Sequence, residues 1–111
     1  MITEDYCSYE ISRLLEEKGF HAPDLHGLDS SQGHLWVKVT HQMAMKWLRE
    51  VHKISVEVYV CYDKKKDGKI WAYIICNIYD ADKSLAPAFQ YHSTYEEAVE
   101  AALKYCLTNL I

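Results

Sequence analysis

The residues that could do chemistry in this 111-residue chain are six histidines, four cysteines, a run of carboxylates and a cluster of lysines. A metal site recruits ligands at short spacings that put them on one turn or one helix face. His21 and His26 are five apart in a glycine-containing stretch, and His34 and His41 flank a short apolar segment. His52 and His92 stand alone, and neither close spacing is a recognised metal motif. The histidines therefore read as surface or capping residues, and neither a metal nor a cofactor is expected.

A cysteine nucleophile needs a neighbouring base and a positive surrounding. Cys7, Cys76 and Cys106 fall on apolar stripes, where a free thiol behaves as a small hydrophobe. Cys61 alone is expected to reach solvent, and nothing in the sequence assigns it a base. No two cysteines form a CxxC pair. Glu96, Glu97 and Glu100 cluster near the start of a helical pattern, where carboxylates stabilise the positive end of the helix dipole. No glycine-rich phosphate loop, GxSxG or HExxH is present. The expected class is non-enzymatic, with no catalytic residues.

Lys64, Lys65, Lys66 and Lys69 surround Asp67-Gly68. They read first as a solvated hairpin tip whose charge discourages edge-to-edge pairing. The functional alternative is a loop that touches nucleic-acid phosphates or an acidic partner.

The elements that must position these groups belong to one domain spanning residues 1–111. Half the chain is apolar and a quarter charged, as in an average globular protein. The net charge of −4 is spread evenly, since residues 1–53 and 54–111 each hold six basic and eight acidic side chains. Nucleic-acid binding draws its affinity from displaced counterions, so this balance disfavours it outside the lysine cluster. Met1–Glu10 shows no secretory pattern and no run approaches a membrane span, so a cytoplasmic protein with reduced thiols is expected.

The spacing predicts a first helix over Glu4–Lys18, capped by Thr3, with a stripe of Cys7, Ile11, Leu14 and Leu15. Gly19 suits a left-handed terminator, with Phe20 folding back on the last turn. Residues 21–34 read as a long loop, and Leu35–Val39 as a short strand. Thr40 caps a second helix running through His52, with Met43, Ala44, Trp47, Leu48 and Val51 facing the core. A hairpin follows, its first strand burying Ile54, Val56, Val58, Val60 and Tyr62. The second strand buries Ile70, Ala72, Ile74, Cys76 and Ile78. Matching these sets opposes Val60 to Ile74 and Val58 to Cys76, closing through Lys66-Asp67-Gly68. A third strand is predicted over Ala88–His92, after a turn through Asp80, Asp82, Lys83 and Pro87. Thr94 and Glu97 then form a capping box for a last helix with Ala98, Val99, Ala102, Cys106 and Leu110 on its buried face. The order α-β-α-β-β-β-α predicts an α+β fold: a three-stranded antiparallel sheet, with a short extra strand, packed against helices.

Residues 40–110 thus run α-β-β-β-α, and His92–Leu103 (HSTYEEAVEAAL) resembles the stretch where a double-stranded-RNA-binding domain begins its second helix. That resemblance implies a lysine clamp at the helix start and a first-hairpin loop inserted in the minor groove. Lys64–Lys69 fall in the matching loop, but Glu96 and Glu97 stand where the clamp lysines would be. A second resemblance covers more of the chain. Ser8–Glu10 (SYE), Thr40–His52 (THQMAMKWLREVH) and Tyr95–Ile111 (YEEAVEAALKYCLTNLI) are similar to small uncharacterised proteins of gut Bacteroidales and their mobile elements. It implies a bacterial or phage-derived cytoplasmic protein and assigns no activity.

The face of the hairpin left over from the core carries Tyr59, Trp71, Tyr73 and Tyr79. Either the first helix and the Leu35–Val39 strand cover this face within one chain, or it is an exposed aromatic patch of the kind that marks a binding surface. The expected function is an interaction domain that binds a protein, itself included as a homodimer, through these four residues. Nucleic-acid association through Lys64, Lys65, Lys66 and Lys69 is the alternative.

Overall fold

Three helices form where side chains satisfy their free amide ends, and the computed structural model describes them within residues 6–20, 28–29, 36–37, 39–63, 68–86 and 91–111. Helix α1 spans Tyr9–Glu17, α2 spans His41–Val51 and α3 spans Tyr95–Tyr105. Ser8 Oγ accepts from Ile11 N at 3.2 Å, Thr40 Oγ1 from Met43 N at 3.1 Å and Thr94 Oγ1 from Glu97 N at 3.1 Å. The Glu97 carboxylate reaches back to accept from the N–H of Ser93, the residue before the cap, at 3.1 Å. The second and third caps fall where the sequence puts them, and the first is corrected. Ser8 caps α1 because Tyr6 and Cys7 are extended: Tyr6 bridges Thr40, and Cys7 N donates to Val39 O at 2.7 Å. The expected Thr3 cap lies outside the described residues.

Helix α1 ends as expected. Gly19 adopts φ +99°, Phe20 N donates to Leu15 O and Gly19 N to Glu16 O, and Phe20 packs into the core. A short ladder pairs β1, Leu28–Asp29, with β2, Trp36–Val37, so the stretch expected as a loop contains a strand. After α3 the chain widens into one π-helical turn, Cys106–Leu110.

The hairpin of β3, Ile54–Asp63, and β4, Gly68–Asn77, is antiparallel, but its register corrects the expectation. Val60 faces Trp71 and Val58 faces Tyr73, three residues from the expected Ile74 and Cys76. Even positions of β3 therefore share a face with odd positions of β4. Four residues, 64–67, separate the paired Asp63 and Gly68, in place of the three-residue closure. The physical reason lies in β4, which is apolar at both parities: Ile70, Ala72, Ile74 and Cys76 on one side, Trp71, Tyr73 and Ile75 on the other. Alternation cannot choose between them. The set with the bulkier side chains goes inward, and Tyr73 and Ile75 are buried while Ile74 is exposed.

Strand β5, Asp80–Ser84, folds back on β4 through Asn77↔Asp80 and Cys76↔Ser84, with a bulge between. Of the strand expected over Ala88–His92, residues 88–90 lie outside the described residues. His92 forms a two-bond bridge with Trp71, at 2.7 and 2.8 Å.

Helix α2 packs on β3, and α3 packs on both β3 and β4, so one face of the hairpin is covered by helices. Helix α1 lies against α3, β2 and the terminal turn. The core gathers Ile11, Leu15, Leu48, Ile75, Val99, Leu103 and Leu107. On α2 the buried stripe is His41, Ala44, Met45 and Leu48, and Val51, expected inside, is exposed. The helix is rotated slightly from the expected face, which leaves Trp47 half-buried and edge-on to Phe20. Among the described residues no helix is long and apolar enough to cross a membrane.

Candidate functional site

Two places on this frame concentrate unusual side chains. The first is the junction of the three helices. Glu100, one turn into α3, accepts from Ser8 N at 2.7 Å and Ser8 Oγ at 3.0 Å, and His41 Nε2 lies 3.0 Å from its Oε1. The cap of α1, the first residue of α2 and the middle of α3 are thereby clasped by one carboxylate. Burial raises the carboxyl pKa, but the hydrogen bonds from His41 and Ser8 outweigh it and hold Glu100 below its ordinary value. The contact puts the imidazole proton on Nε2, and the buried Nδ1 has no hydrogen-bond partner.

A serine, a histidine and a glutamate in contact invite a hydrolase reading, and the connectivity does not support one. In a nucleophilic triad the histidine bonds the serine and the acid bonds the histidine. Here serine and histidine both bond the acid, so no imidazole is poised on Ser8 Oγ. Cys7, beside Ser8, is no better placed. Burial pushes its thiol up, and the Glu100 charge pushes it further. Burial likewise drives Cys106 up to about 12. Both thiols are held in their unreactive protonated form. This clasp was legible only in part: Glu100 stood out as a helix-start carboxylate, but its partners are 59 and 92 residues away in sequence.

The second place is the hairpin face turned away from the helices. Its side chains are Glu57, Tyr59 and Cys61 from β3 with Ile70, Ala72, Ile74 and Cys76 from β4, as the register dictates. Tyr59 is 39% and Ile74 38% exposed, and Ile78 just beyond β4 is also open to solvent. Ala72 on the same side is buried. Ser55, Glu57, Ile74, Cys76, Asn77 and Ile78 line a shallow open depression of about 290 Å³. That lies at the small end of ligand pockets and encloses nothing, a shape for surface contact more than for a captured small molecule.

The four aromatic residues expected to form one patch are separated. Tyr59 stays on the outer face. Tyr73, 8% exposed, turns inward, stacked on His92 with ring centroids 5.9 Å apart. Trp71 also turns inward, half-buried and edge-on to Tyr95 at 5.5 Å. Tyr79, 78% exposed, sits in the turn after β4, where its N–H donates to Asn77 Oδ1 at 2.8 Å. The three-residue register change sends Trp71 and Tyr73 inside, and Ile74 and Ile78 take their place in the exposed set. Cys76, expected inside, moves to the outer face for the same reason.

Lys64, Lys65 and Lys66 lie outside the described residues, as do His21, His26 and His34. Lys69 pairs with Tyr62 in the ladder next to the tip. Among the described residues, no group of three His, Cys, Asp or Glu side chains could hold a metal ion. Glu96 and Glu97 occupy the first turn of α3, where Glu97 serves the cap. Compared with known proteins, the chain matches no family, no curated protein and no solved structure.

Proposed function

We propose that this chain is a non-enzymatic interaction domain that binds a protein partner through the uncovered face of its hairpin. The binding residues are Tyr59, Ile74 and Ile78, with Tyr79 at the margin. The observation that carries the reading is that Ile74 and Ile78 are exposed on a sheet face opposite the helices, with exposed Tyr59 diagonal to Ile74. A half-sheet facing water is ordinarily polar at such positions, and contiguous apolar exposure accompanies binding surfaces. Four free cysteines agree with a cytoplasmic setting, which belongs to the same proposal.

The test compares three forms of the full chain as bait for cellular proteins: wild type, Ile74→Lys/Ile78→Lys, and a form with Lys64, Lys65, Lys66 and Lys69 changed to Glu. Partners should be lost from the first variant and kept by the second. Partners kept by the isoleucine variant would sink the reading. Salt-dependent RNA or DNA binding abolished only by the lysine changes would install the nucleic-acid alternative.

A further inference from the structure

Strand β4 is paired along both of its sides. On one side it meets β3. On the other, Trp71 exchanges two hydrogen bonds with His92, and Ile75 O accepts from Leu85 N at 2.7 Å. Because antiparallel strands alternate the direction of their amides, these bonds fix the pattern of the whole hairpin. Odd residues of β4 point away from β3, so even residues of β4 bond β3. Their partners on β3 are the odd ones, Ser55, Glu57, Tyr59 and Cys61. The N–H and C=O groups of Ile54, Val56, Val58 and Val60 are consequently aimed at the far edge of β3. No strand among the described residues pairs there.

This edge is thinly protected, its charged residues being Glu57 and Asp63. It is ten residues long, contains no Pro, Gly or Lys, and carries no bulge against β4. The cover over it is also lopsided. Ile54 and Val56 are buried beneath the helices, whereas Val60, on the same inner side, is 48% exposed and Tyr62 63%.

We propose that a second copy of this chain docks on the β3 edge, antiparallel, with Val58 of each copy on the two-fold axis. Only even residues present their amides, so even must face even. Centring on Val58 opposes Val56, Val58 and Val60 to Val60, Val58 and Val56 of the mate, giving about six main-chain hydrogen bonds along roughly 20 Å of edge. It sets the exposed Val60 beside the helix-covered Val56 of the other copy, and Tyr62 beside its Ile54. The uncovered half of each strand meets the covered half of its mate. Centring one residue earlier would leave Glu57 facing itself, whereas here Glu57 faces Tyr59 of the other copy on the outer side. The pairing is self-complementary, as a two-fold interface requires. It goes beyond the partner-binding face, and would join two such faces into one surface.

The register makes a charge test available at exposed positions. Glu57 and Tyr59 form a pair without main-chain bonds, the closest kind of cross-strand contact. Sedimentation of the full chain should give twice the chain mass. Tyr59→Glu should weaken the dimer by about tenfold or more, since two carboxylate pairs then oppose each other. Glu57→Lys added to Tyr59→Glu should restore it, and Ile74→Lys should leave it intact. Circular dichroism of each variant guards against unfolding. A monomer at 100 µM, about the upper end of ordinary assays, would overturn the inference. So would a dimer that Ile74→Lys dissolves and the charge exchange does not rescue, because that places the contact on the sheet face. Partners captured by a wild type that stays monomeric would fail this inference alone, and a dimer whose partners survive Ile74→Lys/Ile78→Lys would fail the partner-binding reading alone.

Discussion

The three-helix junction and the outer face of the hairpin invert the usual distribution of polarity. At the junction, Ser8, His41 and Glu100 are drawn together beside the buried Cys7 and Ser12. On the hairpin, Ile74, Ile78 and Tyr59 face water. A half-buried carboxylate is tolerated when its hydrogen bonds are made, and Glu100, its side chain 28% exposed, makes three. An exposed apolar residue is individually unremarkable, but several on one sheet face form a surface with a large free-energy gain available on covering. The junction therefore explains how the fold holds together. The hairpin carries the face that the proposed partner would cover.

The sharpest way to break this contrast is a pair of neighbours in β4. Ile75 is fully buried and Ile74 is not. Ile75→Ala should cost about 3–4 kcal/mol, the range for an enclosed isoleucine leaving a cavity. Chemical denaturation would measure it as a fall in midpoint with an unchanged slope. A cost under about 1 kcal/mol would mean that the other parity is inside.

Next in size is the clasp. Glu100→Gln keeps the shape but presents an amide N–H₂ to one of three donors, leaving a donor unmatched, at a cost of about 2 kcal/mol. The pH dependence gives it a signature. The folded-state pKa of Glu100 is depressed. Its contribution to stability is therefore full above the unfolded value and is lost as pH falls through the lower folded value. Melting temperatures taken downward from pH 5 should fall more steeply for wild type than for Glu100→Gln. Parallel acid limbs would show that the carboxylate is not the group that matters.

These two regions also differ in how far they can be read from residues alone. The caps Thr40 and Thr94 and the terminator Gly19 are local signals, decided within a few residues, and the structure agrees with all three. The register of β3 and β4 is not local. Because β4 is apolar at both parities, its alternation carries no direction, and the choice falls to helix packing and a four-residue connection. The aromatic patch was derived from that register and changed with it. The Glu100 clasp joins elements far apart in sequence, so only the folded arrangement reveals it. What local chemistry could decide, it decided; what required knowing which face the helices cover, it could not.

The smallest expected effect is the other half of the β4 comparison. Ile74→Ala removes an exposed side chain with space around it, so no cavity forms and only partial burial is lost. The stability of the isolated chain should change by about 0.5 kcal/mol or less. That near-silence is informative only beside a binding measurement. If Ile74 belongs to a contact surface, its truncation should cost binding far more than folding, because the side chain reaches full burial only when the partner is present. Measured together, a negligible shift in denaturation midpoint and a severalfold loss of partner affinity would place the value of Ile74 outside the fold. Loss of stability equal to that of Ile75→Ala would place it inside, and the outer face would then be core.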